Sequence, residues 1–298
     1  MTVAVEHSTP QANPPWHVAV PAAAELGEHP LWDVRRQRLF WTDCAAGTVH
    51  CSDLCHGDTV VWTAPEGAPI GVSLLRACGG LAIATREHIV LLDSDGRADR
   101  SPIELPIDTA AVRFNDGSCD PVGRLLVGTT GDEVDGLGEL FSVEADGRVS
   151  RLLGDLTEAN GIGWSPDGRS MYFVDSGRPV MSVFDYDVGS GRLGERKEFA
   201  RIDPALGYLD GLTVDEAGNV WVAIWDGGRL HRYAPDGQLC DVIDVPVSRP
   251  TCPAFGDGDL GTLYVTTARA DVLGESCAGH VLASPGAGRG IVPHRFAG

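Results

Sequence analysis

The stretch SPDGRSMYFVDS, Ser165–Ser176, combines a tight turn with a short strand. Its Pro and Gly occupy positions that suit a tight turn, and the residues that follow are rich in the aromatic and β-branched side chains that favour strands. Similar strands recur along the whole chain, at intervals of 42, 44, 46, 49 and 43 residues. They begin at Leu39, Leu81, Leu125, Met171, Val220 and Leu263.

This repeat predicts the fold. Helical periodicity is nearly absent, and 38 glycines and 19 prolines supply turns between short apolar strands. A period of about 45 residues leaves room for four strands in each repeat. Four-stranded sheets repeated around an axis form a β-propeller, whereas a pair of β-sandwiches does not need so even a period. The sequence therefore predicts an all-β protein, a six-bladed β-propeller with four-stranded blades.

The first residues differ in composition from the rest. The segment MTVAVEHSTPQANPPW has neither a basic start nor an apolar centre, so it does not read as an export signal. We expect residues 1–16 to form a flexible tail and residues 17–298 to form a single propeller domain. A cytoplasmic location is then expected, with the eight cysteines mostly reduced and buried.

Charge and hydropathy exclude several classes of partner. The net charge of -19 repels phosphate backbones and anionic lipids, so we expect no nucleic-acid partner. No apolar run reaches the length of about 18 residues that a membrane span needs, so no membrane association is expected. A closed propeller has no evident need of a protein partner, and we expect a monomer or a weak oligomer.

Oxygen-bearing residues recur in phase with the repeat. In each repeat, the strand before the recurring one is expected to line the central channel. We compare the residue of that lining strand that lies ten or eleven positions before the start of the recurring strand. Because the repeat places these residues at the same height on the axis, their side chains should form a ring at one mouth of the channel. An Asn-Gly pair also suits a turn. Spacing alone therefore leaves two interpretations of these residues open: they form a ring of ligands, or they are turn residues at the starts of strands. The six positions are Glu28, Gly71, Asn115, Asn160, Asp210 and Cys252, and four of them, Glu28, Asn115, Asn160 and Asp210, carry side-chain oxygens.

Three members of this ring suit a central metal site. Glu28, Asn160 and Asp210 offer hard oxygen ligands for Ca²⁺, Mg²⁺ or Mn²⁺, or for carboxylate-bound Zn²⁺ or Fe²⁺. Three protein ligands leave positions open for water and substrate, as in catalytic metal sites. Asp210 would be placed to take a proton from an activated water. The motifs H-E-x-x-H, G-x-S-x-G and the P-loop are absent from the sequence.

The chain resembles the SMP-30/gluconolactonase/regucalcin-like family. The resemblance spans nearly all of the chain after the tail, in family order, and it implies a six-bladed propeller that binds one divalent cation in its channel. It also implies hydrolysis of a sugar lactone. The matching stretches are LGEHPLWD (Leu26–Asp33), RFNDGSCDPVGRLLVGTT (Arg113–Thr130), NGIGWSPDGRSMYFVDS (Asn160–Ser176), LDGLTVDEAGNVWVAIWDGGRLHRY (Leu209–Tyr233) and RPTCPAFGDGDLGTLYVTTAR (Arg249–Arg269).

The resemblance implies roles for single residues. The family's metal ligands fall on Glu28, Asn160 and Asp210, and its catalytic base also falls on Asp210. These are the ring positions that the repeat singles out as candidate ligands.

The substrate contacts implied by the resemblance are Arg113 and Asn115, in the R-x-N-D-G motif, and Glu133. The loop at residues 131–138 departs from the family's pattern, and so does His29. These departures concern the size and orientation of the substrate rather than the metal site.

The predicted function is metal-dependent hydrolysis of a sugar (aldono-) lactone to the aldonic acid. One alternative keeps the site and changes the substrate, to a non-sugar lactone or a phosphotriester. The other alternative is a non-catalytic propeller that binds Ca²⁺ or senses a ligand. Arg113 and Asn115 favour chemistry, because a cation site alone needs no polar shell for a substrate.

Overall fold

A computed structural model describes residues 15–65, 69–131, 134–272 and 274–298. Its strands form six sheets arranged as the blades of a β-propeller, which confirms the predicted fold class. A short 3-10 helix spans Pro204–Leu206. Within the described ranges, no helix is long and apolar enough to cross a membrane.

The strands follow one another with short connections. In chain order they are β1 His17–Val20, β2 Gly27–Asp33, β3 Arg38–Asp43, β4 Thr48–Asp53, β5 Gly57–Thr63, β6 Ser73–Leu75, β7 Leu81–Ala84, β8 His88–Leu92, β9 Ile103–Glu104, β10 Arg113–Cys119, β11 Leu125–Thr130, β12 Gly138–Val143, β13 Val149–Leu156, β14 Ala159–Trp164, β15 Ser170–Asp175, β16 Val180–Asp187, β17 Arg192–Leu193, β18 Lys197–Arg201, β19 Tyr208–Val214, β20 Val220–Trp225, β21 Arg229–Tyr233, β22 Leu239–Asp244, β23 Pro250–Gly256, β24 Thr262–Thr267 and β25 Val281–Pro285.

Each blade is an antiparallel sheet built from strands that are consecutive in the chain. Blades 1 to 5 begin with β2, β6, β10, β14 and β19, and blade 6 begins with β23. Blade 4 carries β18 beside β16 in addition to β17, so it has five strands rather than the predicted four. The N-terminal β1 pairs with β25 and supplies the outermost strand of blade 6, with His17 opposite Ala283. The ring is therefore closed by joining the two ends of the chain.

The predicted repeat positions have structural counterparts. The first strand of each blade packs against the first strands of neighbouring blades, so it is the innermost one, as predicted.

At the end of three innermost strands, a buried aspartate turns the chain. Asp120 accepts hydrogen bonds from the backbone N–H groups of Val122 and Arg124, and Asp215 does the same for Ala217 and Asn219. These side-chain bonds satisfy backbone donors in the turn, which is why aspartate recurs there, and Gly123 and Gly218 in the same turns have positive φ.

The core lies between adjacent blades. Trp32 of blade 1 stacks on Tyr264 of blade 6, with ring centroids 6.0 Å apart. Trp221 of blade 5 meets Phe255 of blade 6 edge to face, at 5.6 Å. Such aromatic pairs bury large apolar areas, so the contacts between blades stabilise the ring as a whole.

The last residue of the predicted tail contacts the propeller, and the cysteines differ in their exposure. Residues 1–14 of the predicted tail lie outside the described residues, and Trp16 donates a hydrogen bond from Nε1 to the backbone oxygen of Asp244, at 2.7 Å. All eight cysteines lie in the described part of the chain and are free thiols. The prediction that they are mostly buried is wrong, because only three are buried. Cys44, Cys119 and Cys252 are buried, Cys51 and Cys277 are partly buried, and Cys55, Cys78 and Cys240 are exposed.

Candidate metal and substrate site

The three predicted metal ligands lie near the starts of innermost strands. Glu28 is in β2, Asn160 in β14 and Asp210 in β19. Asn160 and Asp210 are buried, with 8% and 5% of their surface exposed, and Glu28 is partly buried. Glu28 and Asn160 line one cavity, and the charges of Glu28 and Asp210 act on each other. The fold thus brings together three residues that are far apart in the sequence.

Irregularities in the strands accompany all three residues. The pairing register shifts between Glu28 and Leu31 in β2, and between Ala159 and Ile162 in β14. A third shift lies between Leu209 and Leu212 in β19. A bulge of this kind leaves a residue outside the regular pairing and redirects side chains, and such bulges are frequent beside functional sites. The ring is therefore built from irregular strand starts.

The Asn160–Gly161 pair is part of a strand and not of a turn. Both residues lie within β14, and neither has a positive φ. Gly161 serves close packing, because a Cβ atom there would lie 2.6 Å from the backbone oxygen of Asp210. The missing side chain lets β14 approach β19, and this approach places Asn160 beside Asp210.

Aspartates at the ends of the recurring strands hold the segments that lead into the ligands. Asp43 accepts hydrogen bonds from the backbone N–H groups of Glu25 and Leu26, at 3.0 and 3.2 Å. Asp175 accepts from those of Thr157 and Glu158, at 3.1 and 3.0 Å. Because both aspartates are buried, these contacts fix the chain just before Glu28 and Asn160.

The site is strongly acidic. Burial raises the pKa of the Glu28 carboxyl well above its usual value, and the charges of Asp210, Asp116 and Glu158 add to this effect. Burial also raises the pKa of Asp210, and repulsion from Glu158 and Asp116 acts in the same direction. Hydrogen bonds from Asn160 and the Gly211 N–H oppose that rise.

The donor set fits a hard divalent cation. The Oδ1 atom of Asp210 is buried and lacks a hydrogen-bond partner among the described residues. A buried carboxylate oxygen without a partner is costly unless a cation compensates for it. No group of three or more histidine, cysteine, aspartate or glutamate side chains in the described ranges is arranged to hold a metal ion. The candidate ligands Glu28, Asn160 and Asp210 include only two carboxylates, and their third donor is the amide oxygen of Asn160, so they are not a group of that kind.

The raised pKa values predict that metal binding releases protons. In the metal-free folded protein, Glu28 and Asp210 hold protons more tightly than in the unfolded chain. Their contribution to stability is therefore present below the ordinary carboxyl pKa of about 4 and is lost as pH rises through the raised values. Because a cation favours the charged carboxylates, metal affinity should rise with pH.

Titration calorimetry in buffers of different ionisation enthalpy counts the protons released on metal binding. We expect release at mildly acidic pH, and less release from Glu28→Gln, which has one titrating carboxyl fewer. A metal affinity that is independent of pH would contradict this expectation.

The two predicted substrate contacts that the structure describes lie beside the metal site. Arg113 and Asn115 line the same cavity as Glu28 and Asn160. The Nη1 atom of Arg113 donates to Oδ1 of Asn115, at 3.0 Å. The Nδ2 atom of Asn115 donates to the backbone oxygen of Ala159, also at 3.0 Å, and so ties blade 3 to blade 4.

The third predicted contact, Glu133, lies outside the described residues. Its place in the site therefore stays a prediction.

Two acidic residues of the site are not apparent from repeat spacing. Asp116 follows Asn115 in the N-D-G motif, and Glu158 lies two residues before Asn160. Both act on the Glu28 and Asp210 carboxyls. Successive side chains of a regular strand point to opposite faces, but the register of β10 shifts between Phe114 and Gly117, and both Asn115 and Asp116 line the cavity. No signal in the sequence marks Glu158.

His29 and Asp116 form the inner boundary of the site. His29 is buried, and its Nδ1 atom lies 2.6 Å from Oδ1 of Asp116. Both residues line the site cavity and also a second cavity further along the channel. That second cavity is mainly apolar, with Ile162, Leu212 and Phe255 among its lining residues. The His29–Asp116 pair therefore separates a polar compartment from an apolar one.

The chain is similar to known proteins over most of its length. The family model described as "SMP-30/Gluconolactonase/LRE-like region" matches residues 26–269. A 6-deoxy-6-sulfogluconolactonase of Pseudomonas putida is 39% identical over 85% of this chain and 87% of its own length. A pentonolactonase of Haloferax volcanii is 34% identical over 87% of each chain. The crystal structure of a calcium-binding protein, regucalcin, from Agrobacterium tumefaciens superposes with a TM-score of 0.87 and 28% identity, covering 96% of this chain and 98% of that one.

Proposed function

The chain belongs to the SMP-30/gluconolactonase/LRE-like family, and on that premise we propose that it is a lactonase that opens a sugar lactone to the aldonic acid. The observation that carries the proposal is that Glu28 and Asn160 line one cavity with the Arg113–Asn115 pair, while Asp210 accepts a hydrogen bond from Asn160. Its relatives from Pseudomonas putida and Haloferax volcanii are named as lactonases, which supports the same reaction class.

We propose that Glu28, Asn160 and Asp210 hold one divalent cation, drawn from Ca²⁺, Zn²⁺, Mg²⁺, Mn²⁺ and Fe²⁺. The acidic surroundings and the unpartnered Oδ1 of Asp210 support this assignment. When bound, such a cation polarises a carbonyl oxygen and lowers the pKa of water. The regucalcin superposition supports calcium as one member of the set.

The other steps, which are substrate binding and proton transfer, are carried out by side chains of the protein. Arg113 and Asn115 bind hydroxyl groups of the lactone, and Glu133 contacts the substrate from the adjoining loop. Asp210 takes a proton from a water molecule as the water oxygen bonds to the carbonyl carbon. The acyl C–O bond of the ring then breaks, and the ring oxygen takes the proton that Asp210 accepted and becomes a hydroxyl of the open acid. The His29–Asp116 pair limits exchange with the apolar part of the channel.

A substrate panel tests the proposal. Acid release from D-glucono-, D-galactono-, D-xylono- and L-arabinono-lactone would be followed with a pH indicator, using chelated enzyme and enzyme resupplied with each cation. We expect metal-dependent release well above spontaneous hydrolysis with at least one lactone. Folded, metal-loaded protein that opens none of them would overturn the proposal. A non-sugar lactone, a phosphotriester or Ca²⁺ binding without catalysis would then be examined.

Replacing Asn115 by alanine should chiefly weaken substrate binding. The variant loses an amide that lines the cavity and accepts from Arg113, and each lost hydrogen bond costs about 0.5–1.5 kcal/mol. For one lost substrate bond we therefore expect KM for the best lactone to rise by roughly 2- to 13-fold, with a smaller fall in kcat. Steady-state kinetics measure both values.

Asn219→Ala provides a matched control for this substitution, because its amide binds Asp215 in a turn outside the site. Its KM should equal that of the wild type. An unchanged KM for Asn115→Ala would remove Asn115 from the proposed substrate contacts.

A further inference from the structure

Ser176 joins the strands that carry two of the proposed ligands. It follows β15 directly, and only 9% of its surface is exposed. Its hydroxyl accepts a hydrogen bond from Nδ2 of Asn160, at 3.0 Å. The same hydroxyl donates to the backbone oxygen of Leu209, at 2.7 Å, and Leu209 precedes Asp210. One buried hydroxyl thus contacts both ligand-bearing segments.

The direction of these bonds fixes the orientation of the Asn160 amide. A serine hydroxyl has one proton, and here the Leu209 oxygen receives it. The Ser176 oxygen can therefore only accept from Asn160, so it must face the NH₂ end of that amide.

The other end of the amide is also specified. The backbone N–H of Gly161 donates to Oδ1 of Asn160, at 3.2 Å. If the amide were flipped, its oxygen would face the Ser176 hydroxyl, whose proton is already donated to Leu209. Its NH₂ group would then face the N–H of Gly161, so two donors would meet. Both contacts favour the orientation in which Nδ2 meets Ser176.

We propose that Ser176 is a positioning residue of the metal site, which directs the amide oxygen of Asn160 away from itself and toward the cation. The inference rests on the proposed cation site. Ser176 is not a ligand in this proposal, because its oxygen accepts from Asn160 and its proton is committed to Leu209. Residues that orient metal ligands in this way typically change metal affinity 10- to 100-fold when they are replaced.

Ser176→Thr and Ser176→Val form the first test pair, since their side chains have nearly the same volume and differ in the hydroxyl. Metal affinity would be measured by competition with a chromophoric chelator, and the unfolding temperature of each metal-free variant would be recorded. We expect Ser176→Val to bind metal about 10- to 100-fold more weakly than Ser176→Thr. Ser176→Ala provides a second comparison without the added methyl groups.

Ser284→Ala is the matched control, because Ser284 is fully buried in blade 6 and its hydroxyl has no hydrogen-bond partner in the described part of the chain. Its metal affinity should equal that of the wild type. Equal metal affinity in Ser176→Thr and Ser176→Val, with a lower unfolding temperature only for Ser176→Val, would overturn the inference in favour of a purely structural role.

A double-mutant cycle with Asn160→Asp tests the orientation itself. A carboxylate presents an oxygen at either end, so the effect of Ser176→Ala on metal affinity should shrink in that background. An equal effect in both backgrounds would contradict the inference. Failure of the cation site would look different, because wild-type protein would then bind no metal. Metal binding that is lost in Asn160→Ala and kept in Ser176→Ala would remove the role of Ser176 alone.

Discussion

Asp210→Asn should lower kcat for lactone opening by about 10²- to 10⁴-fold, the range associated with removal of a general base. Asparagine keeps the shape of the side chain and one oxygen donor, and it cannot take a proton from water. Metal affinity should also fall, because the site loses one of its two carboxylate donors. Steady-state kinetics at saturating metal separate the loss of the base from the loss of metal.

The same substitution should not weaken the metal-free fold. Burial and repulsion from Glu158 and Asp116 disfavour the charged form of Asp210, so removing its charge relieves an unfavourable interaction. We expect the unfolding temperature of metal-free Asp210→Asn to equal or exceed that of metal-free wild type. This result would show that the lost activity does not come from misfolding.

Asp236→Asn is a suitable control for the substitution. Asp236 is exposed in a turn of the same blade, where its side chain accepts from the N–H of Gln238. This variant should retain wild-type kcat and metal affinity. Wild-type kcat in Asp210→Asn would remove Asp210 from the proposed catalytic step.

Removing the metal should reduce lactone opening to the spontaneous rate, and adding it back should restore activity. The metal should also stabilise the fold, because it compensates for buried carboxylates that otherwise repel one another. At a free metal concentration 100 times the Kd, one site contributes about 2.7 kcal/mol to the free energy of unfolding. Thermal unfolding over a series of metal concentrations measures this effect beside the activity.

Glu28→Gln should behave like the chelated enzyme at metal concentrations that saturate the wild type. Glutamine keeps an oxygen donor and loses the charge that attracts the cation, so its unfolding temperature should respond less to added metal. Glu198→Gln is the matched control, because Glu198 is exposed on β18 and pairs only with Arg201 among the described residues. Full activity of the wild type after exhaustive chelation would contradict a metal-dependent mechanism.

The sequence by itself determined the architecture and the candidate ligands. The recurring strands that begin at Leu39 and Met171 are local patterns of apolar residues and turns, and six of them at an even spacing admit few folds other than a propeller. Phase within the repeat then identified Glu28, Asn160 and Asp210, because equivalent positions in a propeller lie at the same height on the axis. This inference needs the chain spacing and the oxygen-bearing side chains at these three positions.

Only the tertiary structure decided which groups converge and how they are oriented. From spacing alone, Asn160 could be either a turn residue or a metal ligand. In the structure, Asn160 lies within β14, and the close approach of β14 to β19 at Gly161 places it next to Asp210. Ser176 contacts Asn160 within blade 4 and Leu209 in blade 5, and Glu158 acts on Asp210 in the next blade. Such contacts leave no regular pattern in the sequence. The physical reason is that spacing sets height along the axis. Side-chain direction depends instead on strand irregularities and on packing against the next blade.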